Sequence, residues 1–124
     1  MAESLKVMIV DDEEIVCRRL RSALEKSDYQ CETFVDGKSA LARLEEQAFD
    51  IVVTDVRLGQ DNGIELFETV NERWPRAKVI IMTGYATMEV AREALLKGAF
   101  DFIAKPFKPN DLREAIARAA KELT

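Results

Sequence analysis

Hydrophobic, β-branched runs alternate with helical patterns five times along the chain, and this alternation constrains the fold more than any other feature. Short apolar runs predict buried strands, and apolar residues spaced three and four apart predict helices with one buried face. The runs lie at 5–10, 30–35, 50–56, 77–83 and 100–104, and the helical patterns at 13–26, 38–47, 64–73, 87–97 and 111–123. Because crossovers between parallel strands are right-handed, this order predicts one doubly wound (βα)5 domain, an open parallel five-stranded sheet with helices on both faces.

Composition excludes several classes of function. The 124 residues suit one domain, residues 1–124, and the net charge of −5 argues against direct nucleic-acid binding by this segment. The absence of histidine excludes histidine-based triads, histidine-ligated zinc and a phosphohistidine on this chain. Cys17 and Cys31 form no Cys-x-x-Cys pair and are expected to be reduced. With no spanning apolar run and no signal-peptide core, a cytoplasmic location without membrane contact is expected.

Polar residues follow four of the five predicted strands at the end where the chain leaves the sheet. In an open parallel sheet, ligands bind outside the carboxyl ends of the strands, at the point where the strand order reverses. The residues at this edge are Asp11, Asp12, Asp55, Thr83 and Lys105. Each has a purely structural explanation, such as a helix N-cap for either of the first two or a solvated loop position for the lysine. Their convergence on one edge indicates a functional site, while the second run, with little polar chemistry at its end, suits an edge strand.

The chemistry of these five side chains is specific. Three carboxylates without histidine or thiol form an oxygen-ligand site for a hard divalent cation, and Mg²⁺ fits because it binds through one or two carboxylates plus water and phosphate oxygens. A lysine and a hydroxyl at the same edge would contact an anion. Together they describe phosphoryl transfer to a carboxylate, for which aspartate is a known type of nucleophile.

Four stretches carry a family resemblance: "VMIVDDEE", "VVTDVRLGQDNGIELF", "VIIMTGYA" and "GAFDFIAKPF". In this order and spacing they resemble the receiver domain of two-component response regulators over essentially the whole chain. The resemblance implies a CheY-like, flavodoxin-like sheet of order 2-1-3-4-5. It also implies a signalling domain rather than an enzyme. Such a domain accepts a phosphoryl group from a sensor histidine kinase or phosphotransfer protein and controls an output domain or effector protein, with transcriptional regulation as the expected output.

The resemblance assigns the acidic residues and the lysine. Asp55 resembles the phosphoacceptor. Asp12 and Asp55 resemble direct Mg²⁺ ligands together with the backbone carbonyl of Arg57, and Asp11 is expected to reach the metal through water. Mn²⁺ is an expected substitute ion. Lys105 is expected to pair with the phosphoryl oxygens.

A second group of residues resembles family positions that respond to the phosphoryl group or control its loss; Thr83 and Phe102 are called the response residues. Thr83 is expected to hydrogen-bond a phosphoryl oxygen, with Gly84 leaving room for the incoming group. Phe102 matches the aromatic switch position, whose ring turns inward as Thr83 moves and so alters the surface formed by the fourth helix, fifth strand and fifth helix; plain core packing is the alternative. Arg57 and Tyr85 occupy positions that modulate dephosphorylation, and their bulk predicts a long-lived phosphoryl group.

The chain departs from the family pattern after the phosphoacceptor. Leu58, Gly59 and Asp61 stand where members often carry Met-Pro and a nearby apolar residue, so a more mobile loop is expected before Gly63. "GAFDFIAKPF" resembles receivers attached to ATP-dependent transcriptional activators or hybrid sensor kinases. A receiver excised from such a protein, a stand-alone receiver that acts by protein–protein interaction, and a dimer formed on phosphorylation all remain open.

Three other functions share parts of this pattern. A flavodoxin-like FMN carrier would require a phosphate loop after the first strand, where "DDEE" instead repels phosphate. A haloacid-dehalogenase-type phosphatase would carry Asp-x-Asp at the first strand. An interaction module that is never phosphorylated would not require the complete set of three acids, threonine and lysine.

Overall fold

The predicted strands and helices form in the predicted order in the computed structural model, which describes residues 4–123. The strands of the main sheet are β1 (Lys6–Val10), β2 (Gln30–Phe34), β3 (Ile51–Asp55), β4 (Lys78–Thr83) and β5 (Asp101–Ala104). The helices are α1 (Glu14–Glu25), α2 (Gly37–Glu46), α3 (Gly63–Arg73), α4 (Met88–Leu96) and α5 (Pro109–Lys121). All strand pairs in this sheet are parallel, in the order β2-β1-β3-β4-β5, which confirms the doubly wound (βα)5 fold. Residues 1–3 and 124 of the predicted domain lie outside the described residues.

The sheet lies between two apolar layers, which explains why the sequences of β1, β3 and β4 are almost continuously hydrophobic. Along β1, Met8 and Val10 face the layer formed with α2, α3 and α4. Val7 and Ile9 face the layer formed with α1 and α5. Because both faces are covered, an alternating polar pattern would place charged groups in one layer or the other. The edge position of β2 is also as predicted.

The reversal of strand order falls between β1 and β3, which lie side by side at the centre of the sheet. The chain leaves β1 towards α1 on one face and leaves β3 towards α3 on the other. The loops after these two strands therefore separate and leave an opening at the carboxyl edge. The residues after β1 and β3 are the predicted acids.

A short hairpin follows β3 that the sequence did not predict. Arg57–Leu58 pairs antiparallel with Asp61–Asn62. Gly59 begins the two-residue turn at φ +62°, a left-handed conformation that glycine adopts without the penalty of a Cβ. The carboxylate of Asp61 accepts a hydrogen bond of 3.0 Å from the backbone N–H of Gly37 at the start of α2. The segment is thus tied to a neighbouring helix, while the expected mobility stays a prediction.

Two further features bear on the expectations from sequence. Among residues 4–123, no helix is both long enough and apolar enough to cross a membrane. Cys17 and Cys31 are buried free thiols, as expected for reduced residues.

Candidate functional site

Three carboxylates converge at the carboxyl ends of β1 and β3. Oxygen atoms of Asp11, Asp12 and Asp55 lie within 4.8 Å of one another. Asp11 is fully buried, Asp55 is nearly so, and Asp12 is exposed to solvent. The structure therefore brings together the three acids that the sequence placed at this edge, and their shared environment concentrates negative charge.

The ammonium group of Lys105 lies among these carboxylates. Its Nζ donates to Asp11 Oδ2 at 2.7 Å and to Asp55 Oδ2 at 2.6 Å. The backbone N–H of Lys105 donates to the carbonyl of Thr83 at 2.7 Å, which extends the alignment of β5 with β4 and fixes where the side chain starts. The lysine thus bridges the two most buried acids.

Burial and pairing act in opposite directions on these groups. Burial raises the pKa of Asp11, and the hydrogen bond from Lys105 offsets part of that effect. For Lys105, partial burial alone would lower the pKa, but hydrogen bonds to Asp11 and Asp55 outweigh it and raise the pKa above its usual range. The lysine is therefore charged at neutral pH.

Backbone N–H groups orient each carboxylate. Glu13 donates to Asp11 Oδ1 at 2.9 Å, Arg57 donates to Asp55 Oδ1 at 3.2 Å, and Gly59 donates to Asp12 Oδ2 at 3.0 Å. The N-cap of α1 is Glu13, and it makes no side-chain cap bond. The alternative that Asp11 or Asp12 is simply the N-cap of this helix is therefore wrong.

Gly63 permits the close approach that places Asp55. A Cβ at this position would lie 1.7 Å from the carbonyl oxygen of Asp55, far inside contact distance. The backbone N–H of Gly63 donates to the carbonyl of Val56 at 2.8 Å. Only glycine allows α3 to begin against the end of β3 in this way.

Thr83 ends β4 beside the site, fully buried. Its hydroxyl lies 2.6 Å from the hydroxyl of Thr87, which precedes α4. Phe102, on β5 opposite Ile81, is half-buried and packs against the core layer beneath α4. The structure thus places both predicted response residues on neighbouring strands.

An open cavity of about 360 Å³ lies over Asp55. Its lining includes side chains or backbone of Asp12, Glu13, Asp55, Arg57, Gly84, Tyr85, Ala86, Thr87 and Lys105. The ring of Tyr85 is 95% exposed at the rim, and Arg57 is exposed as well. The cavity gives the Asp55 carboxylate access to a ligand of modest size.

Sequence reasoning missed three contributors. Glu13, the exposed N-cap residue of α1, lines the cavity, and its carboxylate lies 4.0 Å from Lys105 Nζ. Gly59 and Thr87 had no assigned part. Spacing offered no signal for Gly59, because its contact with Asp12 spans 47 residues.

Comparison with known families agrees with this geometry, since residues 7–117 match the response regulator receiver domain. The chain belongs to that family. The alginate biosynthesis transcriptional regulatory protein AlgB of Pseudomonas aeruginosa is 34% identical over 113 residues, which cover 91% of this chain and 25% of AlgB. The chain therefore spans about a quarter of the length of this relative.

Solved receiver structures share the fold. The CheY-like response regulator receiver domain protein of Methanospirillum hungatei JF-1 superposes with a TM-score of 0.91 at 32% identity, covering 97% of this chain and 96% of that one. The beryllofluoride-activated NtrC4 receiver domain dimer gives a TM-score of 0.88 at 30% identity, covering 96% and 98%. The predicted CheY-like fold and the membership in two-component phosphorelay signalling are confirmed.

Proposed function

We propose that this receiver accepts a phosphoryl group on Asp55. The observation that carries the proposal is the position of the Asp55 carboxylate, which lies at the base of an open cavity with one oxygen 2.6 Å from a lysine ammonium. A carboxylate held between a cation and two further acids is placed for attack on an electrophilic phosphorus rather than for proton transfer alone. Acids at the end of β1 also disfavour the phosphate of FMN at this edge.

The donor set fits Mg²⁺, with Mn²⁺ as a substitute. Asp12, Asp55 and the carbonyl of Arg57 would hold the ion directly, and Asp11 would reach it through water. The three carboxylates are hard oxygen donors whose oxygen atoms lie within 4.8 Å of one another, which suits this class of cation. When bound, the ion supplies positive charge that offsets repulsion between the carboxylates and an incoming phosphoryl group.

The residues of the chain divide the transfer between them. An Asp55 oxygen forms the new bond to phosphorus while the bond between phosphorus and the imidazole nitrogen of a partner's phosphohistidine breaks, and the electron pair stays with the imidazole. Lys105, already within hydrogen-bond distance of Asp55, stabilises charge on the phosphoryl oxygens. Backbone N–H groups from Arg57 and Glu13 keep Asp55 and Asp11 oriented throughout.

The proposed response begins at Thr83. Its hydroxyl would turn to a phosphoryl oxygen, and the ring of Phe102 would turn inward into the space released beneath α4. The surface formed by α4, β5 and α5 would change as a result. A sensor histidine kinase or phosphotransfer protein is the proposed donor, and an output domain or effector protein is the proposed receiver of the change.

The proposed role is signalling without turnover of an external substrate, so the chain is not an enzyme in the usual sense. Transcriptional control is the favoured output because AlgB, named as a transcriptional regulatory protein, is a relative. The NtrC4 receiver dimer supports proposing a dimer formed on phosphorylation for this chain too. A receiver acting alone or within a hybrid kinase is the alternative.

Intact-mass analysis tests the proposal. The protein is incubated with acetyl phosphate, with and without Mg²⁺, beside Asp55→Asn. We expect one phosphoryl adduct on the parent chain that requires Mg²⁺ and is absent from the variant. No adduct on the parent, or an equal adduct on Asp55→Asn, would sink the assignment.

A further inference from the structure

Thr83 has a hydroxyl partner to which no function has been assigned. The Oγ1 atoms of Thr83 and Thr87 lie 2.6 Å apart, and either is able to donate. Each hydroxyl also lies 3.2 Å from the carbonyl oxygen of Gly84. The two hydroxyls and this carbonyl thus form a small closed hydrogen-bonded set where β4 ends.

Thr87 stands at a position where its hydroxyl would ordinarily serve its own helix. It is the N-cap residue of α4, and an N-cap threonine typically accepts a hydrogen bond from a backbone N–H two or three residues later. Its side chain makes no such bond here. The hydroxyl is directed to Thr83 instead, so their contact is not a side effect of capping.

The hydrogen of the Thr83 hydroxyl is already engaged in this arrangement. A hydroxyl carries a single hydrogen, so Thr83 donates to either Thr87 Oγ1 or the Gly84 carbonyl. Donation to a phosphoryl oxygen requires it to leave that acceptor. Thr83 is also fully buried, whereas Thr87 is half-buried and lines the cavity over Asp55.

We propose that Thr87 is a positioning residue that holds the Thr83 hydroxyl in its resting arrangement and so opposes phosphoryl binding at Asp55. This inference rests on the proposed function, because it assumes that Thr83 engages the phosphoryl group. Removing the Thr87 hydroxyl deletes a contact made before that engagement. The net contribution of one neutral hydrogen bond corresponds to about a two- to tenfold change in an equilibrium constant.

The test is a titration with beryllofluoride in Mg²⁺, with the full chain followed by nuclear magnetic resonance. Thr87→Val removes the hydroxyl and keeps the side-chain shape, and Thr87→Ser keeps the hydroxyl as the matched control. We expect half-saturation of Thr87→Val at a beryllofluoride concentration about two- to tenfold below that of the parent. Thr87→Ser is expected within about twofold of the parent, because its hydrogen bond remains.

A second readout separates positioning from general destabilisation. Before beryllofluoride is added, the methyl resonance of Thr83 in Thr87→Val is expected to move towards its position in the bound parent protein, and in Thr87→Ser it is expected to stay. Thr87→Ala also lacks the hydroxyl and is expected to bind as tightly as Thr87→Val, which protects the test against poor folding of one variant.

Two results would overturn the inference in distinguishable ways. Beryllofluoride binding to Thr87→Val and Thr87→Ala that is unchanged or weaker, with normal binding to the parent, contradicts the role of Thr87 alone. Absence of binding to the parent protein contradicts the function proposed for Asp55, and the role of Thr87 is lost with it.

Discussion

The ammonium group of Lys105 offsets the charge repulsion between two buried carboxylates of the site. Its Nζ lies 2.7 Å from an Asp11 oxygen and 2.6 Å from an Asp55 oxygen. The same charge repels a divalent cation at the carboxylates and attracts phosphoryl oxygens. Removing this charge is therefore expected to strengthen the binding of a divalent cation and to weaken the binding of a phosphoryl group.

Lys105→Met tests these opposite effects. We expect Mg²⁺ to bind at least about tenfold more tightly, because a nearby positive charge is gone. Beryllofluoride is expected to bind at least about tenfold more weakly, since its fluorides lose the ammonium partner. Calorimetric titration measures both, with Lys108→Met, an exposed lysine nearby, as the control. Equal changes in the two variants would contradict a specific role for Lys105.

Arg57 and Tyr85 are proposed to determine how long the phosphoryl group survives on Asp55. Both line the cavity rim and are solvent-exposed before phosphorylation. If their bulk restricts water at the acyl phosphate, Arg57→Ala and Tyr85→Ala are expected to lose it several times faster than the parent. The measurement is phosphoryl decay in Mg²⁺ by intact mass. Decay at the parental rate in both variants would refute the screening role.

The buried thiol of Cys31 makes the free energy of unfolding depend on pH in the alkaline range. Burial raises the pKa of its thiol from 9.0 to about 12. The folded state therefore keeps a proton that the unfolded state loses, so stability from this thiol is complete below pH 9.0 and is lost as pH rises towards 12. One such proton corresponds to about 1.4 kcal/mol of unfolding free energy per pH unit. Chemical denaturation at several alkaline pH values should show a shallower decline for Cys31→Val than for the parent.

At the scale of elements, the junction between β3 and α3 depends on Gly63. An added Cβ would lie 1.7 Å from the Asp55 carbonyl oxygen, a backbone atom that cannot yield without moving the site. We expect Gly63→Ala to lower the free energy of unfolding by about 3 kcal/mol or more. Urea denaturation measures this loss.

Gly37→Ala is the matched control for that junction. Gly37 also begins a helix, but a Cβ there would meet its nearest atom at an ordinary 3.7 Å. We expect a change within about 1 kcal/mol, and alanine's helix propensity favours a small gain. A similar loss in both variants would show that the Asp55 contact is not the cause.

The elements themselves could be predicted because their signals are local. Apolar, β-branched runs identified the five strands, and helical spacing identified α1 to α5, each within a few residues of its observed bounds. The order of the strands followed from the family resemblance rather than from periodicity. The hairpin at Arg57–Leu58 and Asp61–Asn62 carries two-residue strands, too short for a periodic pattern to register.

Within the site, the sequence predicted which residues share an edge of the sheet but not which side chains bond to each other. The topology rule placed Asp11, Asp55 and Lys105 at one edge, because parallel strands share a carboxyl end. It could not show that the lysine bonds directly to both acids, since side-chain geometry depends on packing across 50 residues or more. The bond between Thr83 and Thr87 likewise depends on the turn between β4 and α4, whose form the sequence did not reveal.

At the scale of the whole molecule, the interior of the sheet and its carboxyl edge have different roles. Its interior layers stabilise the fold, and its carboxyl edge collects the acids, lysine and threonine at the reversal between β1 and β3. The response residues lie on β4 and β5, next to α4. One strand, β4, therefore separates Asp55 at the end of β3 from β5, which belongs to the surface proposed to contact partners.

The most direct test of this account is to locate the phosphoryl group on the chain. After acetyl phosphate and Mg²⁺, borohydride reduces an aspartyl phosphate to homoserine, and peptide mass spectrometry identifies the converted position. We expect conversion at Asp55 alone, with Asp11 and Asp12 intact. Conversion at Asp11 or Asp12, or no conversion at Asp55, would contradict the central claim.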